Sequence, residues 1–296
     1  MPSALGLFPI VPAALCTCEH YCRSGWALRS FLWSIYLGLL FRSPVVARRK
    51  GVSYSLSAMF EPEDVESAKC RLDRVRERIQ RAAERAGRNP DDVTLIAVSK
   101  TMPADSVLVL AALGQRVFGE NRVQEAAIKV PDVAKAWTGP ELTWRMIGHL
   151  QRNKLRPALQ VFQTIDSVDS LRLLDALQVE HTGSPLPVLL QFNCSGETSK
   201  GGLGSEDVPE LVERLPRFKN LAPQGLMTMG PLAPDPEASR PAFRKLAELR
   251  DRLEQELGTK LEDLSMGMSG DLEVGVEEGA TLVRVGTALF GERGAH

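Results

Sequence analysis

Cysteine is scarce: five in 296 residues are too few for a disulfide scaffold. Basic excess is missing as well, since the formal net charge is −1, and nothing in that balance calls for a nucleic-acid partner. Tyrosine is absent from everything after residue 54, which removes the phenol as an acid or base from most of the chain. A membrane-spanning helix needs about 20 consecutive apolar residues. The longest charge-free apolar run in the N-terminal segment, Ser30 to Phe41, has 12. What is present is ordinary globular composition, 44% hydrophobic and 25% charged, which excludes wholesale disorder, collagen-like repeats and a polytopic membrane protein. The length suits two domains or one α/β barrel of about 250 residues.

The averages hide a break near Met59. Residues 1–58 carry six Lys/Arg against one acid, Glu19, which leaves a net −6 for the remainder. They also hold three of the five cysteines and two of the four tryptophans, without sustained helical or strand period. We read residues 1–58 as an N-terminal extension, expected to be disordered, and residues 59–296 as the folded unit. Pro2, Pro9 and Pro12 break any helix in the uncharged start, and no positive charge precedes Arg23, so a secretory signal fits poorly. An Arg- and Ser-rich, nearly acid-free segment fits a transit peptide better. The favoured reading is a start assigned too far upstream, with translation beginning at Met59. Cys16, Cys18, His20 and Cys22 alternate at every second residue, which does not match the Cys-x2-Cys spacing of a metal knuckle.

Beyond Met59, Val65, Ala68, Leu72, Val75, Ile79, Ala82 and Ala86 step by three and four along one helix face. Gly87 ends that helix and Asn89-Pro90-Asp91 turns the chain. On the opposite face Arg71, Arg74, Arg78, Arg81 and Arg85 alternate with Asp73, Glu77 and Glu84, the pattern of a solvated surface. Eight short apolar runs follow: 93–98, 116–118, 142–147, 161–165, 187–192, 222–229, 261–266 and 281–285. Helix-length stretches separate them, among them 104–113, 123–136, 170–179, 208–215 and 238–257. Continuous apolar runs are what strands buried on both faces look like. Eight strand–helix alternations predict a single (β/α)8 TIM barrel, with an open doubly wound sheet as the alternative.

In such a barrel, function gathers at the carboxyl ends of the strands. Lys100 follows Leu95-Ile96-Ala97-Val98-Ser99 and would emerge at the top of the first strand beside an apolar wall. The bland reading is a solvated surface lysine; the sharper one is an amine that attacks a carbonyl to form a Schiff base. After the last two runs, Gly267, Gly270, Gly286 and Gly291 leave backbone amides open, while Ser269 and Thr287 add hydroxyls. Loops after strands seven and eight commonly hold phosphate in this fold, and Asp271 is placed to cap the helix that follows. Arg284 lies inside the eighth run between Val283 and Val285, where its charge needs acceptors, a ligand or an acid on a neighbouring strand. An amine, a phosphate cradle and a buried arginine together suggest a phosphorylated aldehyde with a heterocycle between, and pyridoxal phosphate fits that description.

These residues resemble a known family, the pyridoxal phosphate homeostasis proteins, single-barrel relatives of the alanine-racemase N-terminal domain. The resemblance is carried by Ala97-Val98-Ser99-Lys100-Thr101, Phe118-Gly119-Glu120-Asn121, Val123-Gln124-Glu125 and Ile147-Gly148-His149-Leu150-Gln151-Arg152-Asn153-Lys154. It continues through Gln191-Phe192-Asn193 with Lys200 and Gly202, Gly225-Leu226-Met227, Ser265-Met266-Gly267-Met268-Ser269, and Val283-Arg284-Val285-Gly286-Thr287 with Phe290-Gly291. Residues 1–58 have no counterpart. The resemblance implies an internal aldimine on Lys100, phosphate held by Ser269, Gly286 and Thr287, and Arg284 facing the pyridine nitrogen. It also implies that Asn121 and Met229 line the cofactor pocket. The chain departs from the family pattern at Arg122, where Tyr is frequent, at Arg145, where His is common, and at Gly270, where a larger residue is usual.

Pyridoxal phosphate drives carbanion chemistry best when an acid protonates its ring nitrogen, and an arginine keeps its proton. Racemases of the related barrel offset this with a catalytic tyrosine and a second, β-rich domain; here the core has no tyrosine and the sequence stops six residues after Phe290. The expectation is therefore a carrier or buffer of the cofactor with little or no catalysis. Its partners would be pyridoxal phosphate and the apoenzymes that depend on it, with no nucleic acid and no membrane for the core. A monomer in the cytoplasm is expected, with Cys70 and Cys194 as reduced thiols. One alternative is an amino-acid racemase or lyase with His149 or a cysteine as second base. The other is an aldolase-like barrel for a sugar phosphate, with Glu120 or Asp166 as acid.

Overall fold

The computed structural model describes residues 60–197 and 201–291, with two short strands upstream, β1 (Val46–Arg49) and β2 (Val52–Ser55). These pair antiparallel, Val46 opposite Ser55 and Arg49 opposite Val52, inside the segment that the sequence pattern left without strands. Val46, Val52 and Tyr54 favour extended backbone, but each strand is four residues long, too short to register as a period. Met59, Lys200 and the group Cys16, Cys18, His20 and Cys22 lie outside the described residues.

The eight apolar runs become eight parallel strands. They are β3 (Thr94–Val98), β4 (Val117–Glu120), β5 (Thr143–Met146), β6 (Thr164–Val168), β7 (Leu186–Gln191), β8 (Leu221–Met227), β9 (Asp263–Ser265) and β10 (Leu282–Val285). They close into a barrel in sequence order, β10 returning to pair with β3 so that Leu282 lies beside Thr94 and Val285 beside Ala97. The single barrel stands and the open sheet does not. Around it run α1 (Pro62–Arg85), α2 (Ala104–Ala112), α3 (Val123–Ala136), α4 (Leu155–Leu159), α5 (Leu171–Glu180), α6 (Val208–Arg214), α7 (Arg240–Leu257), α8 (Leu272–Glu277) and α9 (Thr287–Phe290).

The period of two sorts the strand residues. Leu95, Ala97, Phe118, Trp144, Met146, Ile165, Val283 and Val285 join the large core beneath the helices. Ile96, Leu189, Met227 and Leu282 form a separate apolar cluster on the barrel axis. That inner cluster is small because the same axial rows also carry charge. Arg145, one residue from Trp144 and Met146, donates from Nε to Asp166 Oδ2 at 2.8 Å and lies 3.7 Å through Nη2 from Asp263. Arg145 and Asp166 are 8% and 0% exposed.

The arginines of α1 do not all face water. Arg81 pairs with Glu77 as a surface pair would, but Arg78 grips Glu273 through Nε (2.6 Å) and Nη2 (2.7 Å). Arg85 reaches Glu277 at 2.8 Å, and Arg71 donates to the Leu289 carbonyl at 2.7 Å. Three of the five arginines in the predicted solvated row therefore dock α1 onto α8 and α9, a long-range pairing that sequence spacing does not carry.

Arg145 and Asp166 give the first test. Burial raises the Asp166 carboxyl above the usual range, and the neighbouring Arg145 charge opposes that rise. Arg145→Met leaves the carboxylate unpaired and should destabilise the fold by about 3–5 kcal/mol in urea unfolding. Arg145→Met/Asp166→Asn should recover most of the loss. Because the folded value is raised, the stability attached to Asp166 is present below its unfolded pKa and is lost as pH rises through the folded one. The single variant should therefore suffer more at pH 8 than at pH 5, and the double variant should not show that slope.

Candidate functional site

The strand register gathers the predicted residues at one end of the barrel. Val98 pairs with Gly119, so two further residues bring Asn121 level with Lys100 on the neighbouring strand end. On the other side Val285 pairs with Ala97, which sets Gly286-Thr287 against the end of β3. Lys100, Val98 and Ile96 occupy one alternating row, and Ile96 belongs to the axial cluster, so Lys100 continues the inward row past the strand end. Asn121 is half-buried, and its Oδ1 is buried without a hydrogen-bond partner. Gly148 allows the β5 end to press on this corner, since a Cβ there would lie 2.4 Å from the Asn121 carbonyl oxygen. Met229, two residues beyond axial Met227, is half-buried on the rim.

Below the rim, Arg284 is buried and donates from Nη1 to Ser265 Oγ (2.6 Å) and from Nη2 to the Thr228 carbonyl (2.8 Å). Its hydrogen-bond partners are neutral oxygens, one on neighbouring β9 and one just past the end of β8, not the acid that an ion pair would require. Desolvation pulls its pKa down to about 10, against the attraction of Asp166 and Asp271. The guanidinium stays charged at neutral pH.

The loop holding Ser269 is tied from two sides. Gly267 takes a φ of +91°, and the Asp271 carboxylate accepts the Met268 N–H and the Ser239 hydroxyl, each at 2.7 Å. Asp271 therefore precedes α8 without capping it: no side-chain cap hydrogen bond forms, because its oxygens turn back to the loop. Arg78 Nη2 donates to the Ser269 carbonyl at 3.0 Å, which links the loop to α1. Gly286 opens α9, and Thr287 beside it is exposed.

Three candidates from the alternative readings are engaged elsewhere or lie at the margin. Glu120 is fully buried and ion-paired with Lys129 of α3 at 2.7 Å, outside the axial row that Asn121 follows. Asp166 is held by Arg145. Exposed His149 sets Nδ1 2.6 Å from Asp169 Oδ2, an oriented imidazole at the barrel mouth. Burial pushes the Cys194 thiol up. Lys129 went unnoticed in the sequence, although one signal was there: it interrupts the apolar stripe of α3 between Ala126 and Val133.

Residues 70–294 match the family model described as the alanine racemase N-terminal domain. A pyridoxal phosphate homeostasis protein of Aquifex aeolicus is 44% identical over 225 residues, covering 75% of this chain and 97% of the relative. The protein of that description from Homo sapiens is 40% identical over 237 residues, covering 76% of this chain and 86% of the relative. The chain belongs to the pyridoxal phosphate homeostasis protein family. Among solved structures of this family's fold, PipY of Synechococcus elongatus with pyridoxal phosphate bound aligns at a TM-score of 0.61 and 36% identity, covering 72% of this chain and all of that one. An alanine racemase from Corynebacterium glutamicum, 19% identical with a TM-score of 0.55, shares the barrel alone; the alignment covers 75% of this chain and 62% of the racemase.

In this family member Asp271 carries the Ser269 loop, which yields a second test. Asp271→Ala removes two charge-assisted hydrogen bonds at a buried position, a loss of about 2–3 kcal/mol. Amide hydrogen exchange at residues 267–270 should accelerate at least tenfold, while the amides of β10 keep their protection. Unchanged exchange in the loop would show that Asp271 does not hold it.

Proposed function

We propose that this chain binds pyridoxal 5'-phosphate, holds it as a Schiff base on Lys100, and so limits the free aldehyde in the cytoplasm with little or no catalysis. The observation that supports this most directly is the row of rim residues: Lys100 between Asn121 on one strand end and Gly286-Thr287 on the other, with charged Arg284 beneath. The residues fit the cofactor's parts. An unpartnered buried Asn121 Oδ1 offers a polar contact at the pocket wall. The Ser269 loop and Gly286-Thr287 offer hydroxyls and unobstructed amides for a phosphate, and half-buried Met229 suits the face of a flat ring. PipY, a relative at 36% identity, has been solved with this cofactor bound.

When bound, pyridoxal phosphate supplies an aldehyde and an electron-withdrawing ring. The residues of this chain would bind it more readily than they would exploit it. Arg284 would orient a ring nitrogen by donating a hydrogen bond while keeping its proton, and the described core contains no tyrosine. An accessible, reversible attachment without a strong proton relay suits a carrier that passes the cofactor to apoenzymes, and a single barrel acting as a monomer would serve. Among the described residues no helix is long and apolar enough to cross a membrane, and Cys70 and Cys194 are free thiols.

One observation favours the racemase or lyase reading: the His149–Asp169 pair is an imidazole oriented at the barrel mouth. Deuterium incorporation at the α-carbon of an amino acid, abolished by Lys100→Ala and by His149→Ala, would promote it. The primary test is the visible absorption of the purified full chain before and after borohydride, beside Lys100→Ala. We expect a yellow band that reduction bleaches, a reduced adduct mapping to Lys100, and neither in the variant. A chain that stays colourless with added pyridoxal phosphate removes the proposal.

A further inference from the structure

Behind Lys100, on the outer face of the barrel, lies a cluster of charges with 0–6% of the central side chains exposed. Lys129 of α3 directs its ammonium at three acceptors: the Ser99 carbonyl (2.6 Å), Glu120 Oε1 (2.7 Å) and Glu125 Oε1 (2.8 Å). An ammonium has three protons, and all three are spent here. Glu120 Oε1 also accepts the Ser99 hydroxyl at 2.7 Å, and Glu125 accepts the backbone N–H of Thr101. The residues before and after Lys100 are thus both fastened, one by its carbonyl and hydroxyl and the other by its amide, and Lys129 ties the two fastenings together.

The backbone at this fastening is unusual. Thr101 has φ +64°, the only positive value at a non-glycine among the described residues, and a β-branched side chain makes that conformation costly. A bound carboxylate on its N–H offsets the cost. Buried ion clusters add little to stability compared with apolar packing of the same volume, so stability alone is a weak reason to bury Lys129. The geometry points to Lys129 as a positioning residue: through Ser99 and, with Glu125, Thr101, it fixes the direction in which Lys100 leaves the strand and so sets how readily the Lys100 amine meets an aldehyde in the pocket.

This inference rests on Lys100 being the attachment point. Attachment joins the Lys100 nitrogen to the aldehyde carbon, and the aldehyde oxygen leaves as water with both amine hydrogens. Only that step needs the amine aimed, whereas phosphate and ring contacts do not. The test therefore compares two ligands: pyridoxal 5'-phosphate, which has the aldehyde, and pyridoxine 5'-phosphate, which has an alcohol in its place and cannot attach. Lys129→Met should weaken binding of the aldehyde at least tenfold and slow appearance of the absorption band, while affinity for the alcohol stays within twofold. Glu125→Ala, at a partly exposed helix position, gives a second variant should Lys129→Met fold poorly, with the same split expected at smaller size. Parallel loss of both ligands, or unchanged attachment in both variants, overturns the positioning role. Absence of attachment in the unaltered chain would remove the proposed function itself, an outcome distinguishable from the other two.

Discussion

Closing eight parallel strands into a barrel puts every second side chain on the axis and every other one under the helices, so little of the strand surface is left for water. The apolar content of the strands, the separate inner cluster and the placement of the site all follow from that constraint. Below, the axial rows are filled by Ile96, Leu189, Met227 and Leu282. Where the strands end the rows continue but their neighbours stop, and a side chain there projects into a mouth. Lys100 and Asn121 are the next members of rows whose lower members are packed core. The site is built by running past the end of the packing pattern.

The constraint also explains why the polar interior is costly and what holds it. Arg145, Asp166 and Arg284 sit where water has little access, and their partners come from other strands or strand ends: Asp166 for Arg145, Ser265 and the Thr228 carbonyl for Arg284. A parallel barrel supplies such partners naturally, because adjacent strands present residues at the same height. The charges in turn set the register, since a slip would separate groups that are expensive to leave alone.

The barrel and the location of its mouth were legible in the sequence because both depend on local pattern. Eight apolar runs announce eight buried strands, and the 123–136 stretch is the helix Val123–Ala136 to the residue. Lys100 and the glycine-bounded loops stand out by position after those runs, whereas Asn121 and Met229 enter as pocket candidates only through the family resemblance. What escaped is what depends on partners distant in sequence. Arg78 reads as one of a solvated row until α8 brings Glu273 to it. Asp271 reads as a helix cap until the fold offers Ser239, 32 residues away. Lys129 reads as one more helix lysine unless its place in the apolar stripe is noticed. Arg145 reads only as a departure from the family pattern, since its acid lies 21 residues further along.

Carrier and catalyst differ here in how protons are held more than in how the cofactor is gripped. A catalyst needs groups whose proton affinities lie close enough to the working pH to give and take. Among the described residues, the buried charged groups beneath and behind this mouth are committed. Arg284, even pulled down to about 10 by burial, keeps its proton at neutral pH, and the three protons of Lys129 are spent on fixed acceptors. Asp166 has one oxygen on Arg145 and the other enclosed without a partner. Such groups orient and stabilise but do not relay. The exception is His149, exposed at the mouth with its Nδ1 side fixed by Asp169 and the rest of its ring open to solvent. Under the racemase or lyase reading this imidazole, at the margin of the site, is therefore the group placed to act as second base.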